Sequence, residues 1–209
     1  MVIDQALEAE AAQFTTLERP CHKWVEPMSE QDVPAAAEMA VRLLPASGFV
    51  AGSARPFILA ALYRAALDHP STIALKVVDA GARPVGFCLV STDVDGFEQF
   101  VRPRILVATV RALLGPARMR LIPHLWRSLA ESKPRPHVPA ELLLLYVDET
   151  CQRSGSGRKL VLHVEAELAG RGACAYRVAV RSQLASARAF YTAMGFLLEQ
   201  ERPVYWVSR

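Results

Sequence analysis

The chain has no run approaching the ~18 apolar residues that a membrane-spanning helix needs, so the sequence predicts a soluble protein. The first twenty residues, MVIDQALEAEAAQFTTLERP, carry acids and no apolar block, which argues against a secretory leader and for a cytoplasmic location. Cysteine is sparse. Cys21, Cys88, Cys151 and Cys174 are scattered and form no C-x-x-C pair. Neither a zinc ribbon nor a disulfide framework follows, no metal is expected, and free thiols suit a reducing compartment. An excess of one charge is lacking too. A net +3 is too mild to imply a nucleic-acid partner.

What is present is core-forming material. At 52% hydrophobic and 22% charged, the 209 residues can bury one substantial domain. Residues 1–21 read as an N-terminal extension and 22–208 as the domain. HKWVEP predicts a strand, followed by a helix entered through Ser29 and Asp32. RPFILAALYRAALDHP predicts a second helix between two prolines. STIALKVVDAGARPVGFCLVST reads as a strand, a turn at Ala80–Gly81 and a strand. ELLLLYV and YRVAV predict two further strands, each followed by a helix, at about 157–169 and 185–194. VYWV is a last strand. This order predicts an α/β fold in which helices pack on a mixed sheet.

Residues 97–139 interrupt the pattern as a basic amphipathic helical insertion. They hold Arg102, Arg104, Arg111, Arg118, Arg120, Arg127, Lys133 and Arg135 against Glu98 and Glu131. Leu106, Val110, Leu113 and Leu114 predict an apolar stripe ended by Gly115-Pro116, with a second helical piece at about 117–129. Three roles stay open: a lid whose arginines pair with a phosphate-bearing or acidic acceptor, a segment resting on anionic lipid, or a homodimer interface. Aromatic residues are too sparse there for nucleic-acid stacking.

The segment YVDETCQRSGSGRKL raises a chemical question. A strand ends in a turn of small residues before a helix, which leaves backbone N–H groups free beside a positive helix end. That arrangement suits phosphate oxygens, with Arg153 and Arg158 at the rim. Neither G-x-x-x-x-G-K-[ST] nor G-x-G-x-x-G is present. Cys151 beside the turn has no partner base in sequence, so nucleophilic catalysis is not expected of it.

LLYVDETCQRSGSG resembles the acetyl-coenzyme A loop of the GCN5-related N-acetyltransferase (GNAT) superfamily, with Val147, Gln152, Gly155 and Gly157 in register. SARAFYTAMGF resembles the family's second signature through Ala187, Phe190, Tyr191, Gly195 and Phe196. The chain departs from the pattern at Leu184, where the family often has Asn, and at Glu149, where a proline is common. Its tail after Gly195 is short for the family's last hairpin.

The resemblance implies acetyl transfer from acetyl-CoA to a primary amine of a small acceptor, by direct attack in a ternary complex. It implies that Leu145, Tyr146 and Val147 bond the pantetheine arm in a gap between two strands. Gln152, Arg153, Ser154, Gly155, Ser156, Gly157 and Arg158 would hold the pyrophosphate, with Phe190 and Tyr191 beside the cofactor. Glu141, a carboxylate among leucines, is the candidate base, and Tyr191 is the candidate acid toward sulfur. His137 is expected to be a surface histidine, and His163 an exposed or packed polar residue. Two rivals remain at this point: a non-catalytic acyl-CoA-binding regulatory module, and a membrane-surface or scaffold protein using the insertion.

Overall fold

The computed structural model describes residues 23–43, 55–113, 140–181, 184–200 and 204–208. The N-terminal extension, the second insertion helix, His124, Trp126 and His137 lie outside the described residues.

Among the described residues, seven strands form one sheet in the order β1-β2-β3-β4-β5-β7-β6. They are β1 (Trp24–Pro27), β2 (Thr72–Val78), β3 (Pro84–Ser91), β4 (Ala140–Val147), β5 (Tyr176–Arg181), β6 (Leu197–Gln200) and β7 (Val204–Ser208). The helices are α1 (Val33–Leu43), α2 (Arg55–Asp68), α3 (Val94–Leu113), α4 (Ser156–Gly170) and α5 (Ala185–Ala193). Every strand pairing is antiparallel except β4 with β5. These two are joined by α4, because parallel neighbours need a crossover. The expected mixed sheet is present. The short tail nevertheless forms a hairpin, β6–β7, because Leu197–Gln200 pairs with the terminal strand. The sequence pattern marks only the last strand of this pair.

Helices cover both faces. On one, Leu160, Val161, Val164 and Leu168 of α4 meet Val77, Val85, Val90 and Leu142, and Tyr191 of α5 joins them. On the other, Val33, Ala36 and Ala40 of α1 and Leu59 and Tyr63 of α2 pack on Phe87 and Tyr146. Burying such side chains contributes about 1.5–3 kcal/mol each. The Tyr146 hydroxyl donates to Ala36 O at 2.8 Å, so the Tyr63 hydroxyl donates to Tyr146 at 2.6 Å. This buried chain ties both helices to β4. At the entry to α1, the Asp32 carboxylate accepts from Ser29 N–H and from Lys76 Nζ of β2, at 2.8 and 2.9 Å. Burial opposes its charge, but the Lys76 ammonium and the Ser29 donors hold its carboxyl below the ordinary value.

Two expectations about the insertion change. Its helix starts earlier, at Val94, and its first turns belong to the core: Phe97, Val101 and Ile105 pack against Ile58, Ala65 and Ala66 of α2. Of the expected stripe, Leu106 and Val110 face outward, at 51% and 47% exposed, while the side chains of Leu113 and Leu114 lie outside the description. Four-residue spacing from Phe97 selects the buried face, and Thr109 completes it by bonding Ile105 O at 2.8 Å.

Candidate active site

β4 carries the site, and its geometry is set by two irregularities. The first is a bulge. Leu89 pairs with Leu144 but Val90 pairs with Leu142, so Leu143 is an extra residue. Beyond it, Leu145 and Val147 face α4; before it, Leu142 and Ala140 do. The second is a divergence. β4 and β5 are paired only at Ala140–Tyr176, Glu141–Arg177 and Leu142–Val178. β4 then runs on to Val147 without β5, which pairs instead with β7.

That divergence leaves backbone groups of β4 facing a gap. Asp148 N–H donates to Val85 O of β3 at 2.8 Å. Successive residues of a strand turn their N–H and C=O to alternate sides, so Leu145 and Val147 turn theirs toward the gap. Tyr146, expected to act with them, turns its backbone to β3 and its side chain to α1 and α2. Gln152 Nε2 donates to Val147 O at 3.1 Å, which fastens the loop to the strand end.

The loop after β4 makes a short 3-10 turn at Glu149–Cys151, ordered by the Asp148 carboxylate accepting from Thr150. Arg153 (φ 59°) and Gly155 (φ 80°) are left-handed. For Arg153 that conformation is unfavourable by about 1–2 kcal/mol; for Gly155 it is free of strain. Gly155 takes the capping position of α4 without a side-chain cap. The first backbone bond of the helix is Lys159 N–H to Gly155 O at 3.0 Å. Among the described residues, the amides of 153 through 158 donate to no protein acceptor. Six free amides at a positive helix end fit a diphosphate. A Cβ at Gly155 would meet nothing within 4 Å, so that side of the loop is open. A Cβ at Gly157 would lie 3.4 Å from Phe190 Cζ, so the first turn of α4 rests on α5. The two signature segments therefore meet.

The hydroxyls of Ser154 and Ser156 are taken up within the protein, which leaves their amides as the groups open to a ligand. Ser154 Oγ bonds Cys151 O, Ser156 Oγ and Lys23 Nζ, so its hydroxyl is saturated within the protein. Ser156 is buried. Their amides remain free. Arg153 and Arg158 are exposed at the rim. Lys23 was not singled out by the sequence, because a residue 131 positions from Ser154 gives no local signal.

Tyr191 is buried against Phe190 and Phe196, with ring centroids 5.1 Å away in each case. Burial pushes its hydroxyl well above the ordinary tyrosine value. Among the described residues the hydroxyl has no hydrogen-bond partner. Glu141 is 7% exposed, as its leucine neighbours suggested, but it is charge-paired. Arg177, 2% exposed, places Nε and Nη2 at 3.1 and 3.0 Å from Glu141 Oε2. Tyr176 and Val178 point to the α4 face, so Arg177 and Glu141 point to the α2–α3 face. Glu141 and Tyr191 thus flank the gap from opposite faces and are not bonded to each other. His163 is exposed, its ring Nδ1 2.9 Å from Lys159 O. Among the described residues, no group of three or more His, Cys, Asp or Glu side chains could hold a metal ion, and no helix is long and apolar enough to cross a membrane.

A diverging strand pair, a free-amide loop and a Phe-Tyr helix packed on it come together at one end of β4, the arrangement an acyltransferase needs. The acetyltransferase (GNAT) family matches residues 37–196, and the chain belongs to that family of acyl-CoA-dependent enzymes. Among solved structures it is similar to SsHAT, with 23% identity and a TM-score of 0.67 over 90% of this chain and 97% of that one. The PaiA N-acetyltransferase from Thermoplasma acidophilum, solved with coenzyme A, shares 14% identity and a TM-score of 0.54 over 90% and 98% of the two chains. The ribosomal-protein-S18-alanine N-acetyltransferase from Escherichia coli shares 16% and 0.53 over 89% and 92%. These likenesses show the fold. No curated protein matches in sequence.

Proposed function

We propose that the protein acts in the cytoplasm and transfers an acetyl group from acetyl-CoA to a primary amine of a small acceptor, by direct attack in a ternary complex. The observation that carries this reading is the parting of β4 from β5 beyond Leu142, next to the free amides of the loop. An acetyl thioester supplies the electrophilic carbonyl. The amides of 153–158 hold its diphosphate, and Leu145 and Val147 bond the arm as a neighbouring strand would. A β4 N–H turned into the gap stabilises negative charge developing on the carbonyl oxygen.

Glu141 takes the proton from the attacking amine on the α2–α3 face. Its ion pair with Arg177 fixes the carboxylate in position. Tyr191 meets the departing sulfur from the α4 face. Because burial moves its hydroxyl further above a thiol's ~8.5, Tyr191 stabilises the thiolate by a hydrogen bond rather than by complete proton transfer. The arginine-rich insertion favours an acceptor that is phosphate-bearing or sugar-like.

The test is calorimetric titration of acetyl-CoA into the wild type and a Gly155→Glu, Gly157→Glu double variant, followed by an amine screen. Saturable binding that the variant loses supports the reading; a wild type that binds no acetyl-CoA ends it. One observation favours a second role for the insertion. Leu106, Val107 and Val110 are exposed on α3, which also carries the exposed Arg102 and Arg104. Such a face suits anionic lipid. Sedimentation with phosphatidylserine vesicles that persists in a Leu106→Glu, Val110→Glu variant would remove that role.

A further inference from the structure

Lys23 lies just before β1 and is 6% exposed. Its ammonium donates to Ser154 Oγ at 2.5 Å, while its backbone carbonyl accepts from Lys159 Nζ of α4 at 2.7 Å. Two lysines thus converge on the start of α4, one from the helix and one from across the sheet. Among the described residues neither pairs with a carboxylate: Glu26 pairs with Lys76, and Asp148 with Arg42. A buried ammonium without a counter-charge is unfavourable, because a hydroxyl replaces only part of its hydration. The same loop already collects six unbonded amides and the positive end of a fifteen-residue helix. Carbonyl and hydroxyl oxygens take up part of this positive charge, but among the described residues no carboxylate pairs with either lysine.

We propose that Lys23 is a cofactor-binding residue, whose buried ammonium completes the charge complement of the diphosphate held by the 153–158 loop. This assignment rests on the acyl-CoA reading given above. An ammonium has three N–H bonds. One is placed on Ser154, and two remain for anionic oxygens arriving at the loop. The Ser154 hydroxyl, saturated by its three partners, orients the ammonium rather than touching the ligand. Lys23 then explains why Ser154 is a serine: its oxygen accepts from the lysine while its proton goes to Cys151 O.

An unmatched charge kept for a ligand has a signature that a structural lysine lacks. Removing it weakens binding yet leaves the free protein no less stable. The experiment is coenzyme A titration by calorimetry at 50 and 400 mM NaCl, with thermal unfolding of the ligand-free protein, for wild type, Lys23→Met and Lys23→Arg. We expect Lys23→Met to weaken coenzyme A binding at least tenfold at low salt and to show a smaller loss between the two salts. Its ligand-free melting temperature should equal or exceed that of the wild type. Lys23→Arg, which keeps the charge, should bind within about threefold of wild type. Unchanged affinity in Lys23→Met overturns the assignment alone. So does a melting temperature that falls in step with affinity, since Lys23 would then merely brace the loop. A wild type that binds no coenzyme A overturns the proposed function and this assignment with it.

Discussion

The two ends of β4 solve opposite problems. At Val147 the strand opens into a loop in which, among the described residues, the amides of 153–158 find no protein acceptor, next to two lysines that pair with no carboxylate. At Glu141, six residues and about 20 Å away, the strand closes: a carboxylate and a guanidinium, both buried, satisfy each other across the β4–β5 pairing. The difference teaches where the molecule keeps capacity for ligands. The open end binds by what it leaves unpaired. The closed end sets the base of the gap, and its paired carboxylate acts only through a position fixed by Arg177.

The comparison can be broken at the open end first. Gly155→Glu with Gly157→Glu places two carboxylates at the amides and forces a side chain into a left-handed position. Acetyl-CoA affinity should fall at least a hundredfold, read by calorimetry. At the closed end, Arg177→Met removes the guanidinium from a buried carboxylate. Denaturant unfolding should show a loss of about 3–5 kcal/mol, largely recovered when Glu141→Gln is added. The single Glu141→Gln variant should lower kcat by about 10²–10⁴ while the KM for acetyl-CoA stays near wild type; an unchanged kcat would make the pair purely structural.

Between the two ends, Tyr191→Phe should lower kcat about tenfold. Because the folded hydroxyl titrates well above its ordinary value, wild type and variant should have parallel rate profiles between pH 6 and 10. An extra limb in the wild type would show that the hydroxyl ionises in that range. The smallest effect is remote from both ends. Asp32→Asn should lower stability by about 2 kcal/mol at pH 7. The carboxyl is depressed in the folded state relative to ~3.9 unfolded, so its contribution is complete above that value. It is lost as pH falls through the folded value, and the two unfolding curves should converge in acid.

Much of the open end was legible in the sequence, because glycine spacing, an apolar strand and a following helix are local signals. Gln152, Gly155 and Gly157 lie in one loop, and Phe190 meets Gly157 as the paired signatures suggested. The closed end was legible only as Glu141 itself. Its partner is 36 positions away, and neither the pairing nor the bulge at Leu143 leaves a mark in an unbroken run of leucines. The same limit hid Lys23. For α3 the error was one of phase: Leu106 and Val110 suggested one face, but the helix starts at Val94 and buries the face set by Phe97, Val101 and Ile105. The β6 strand was missed because LLEQ is short and half polar.

The extra residue at Leu143 works as a phase shifter along β4. Odd-numbered residues face α4 above it and even-numbered residues do so below it. The upper half of the strand can therefore be redesigned without disturbing which way the lower half points, and the reverse also holds. Deleting one leucine from the run 142–145 would keep the composition of the strand almost intact. Yet it would turn Glu141 toward the valines of α4 and bring Leu142 round to the face opposite. One inserted residue thus divides the strand into two segments whose facing is set separately.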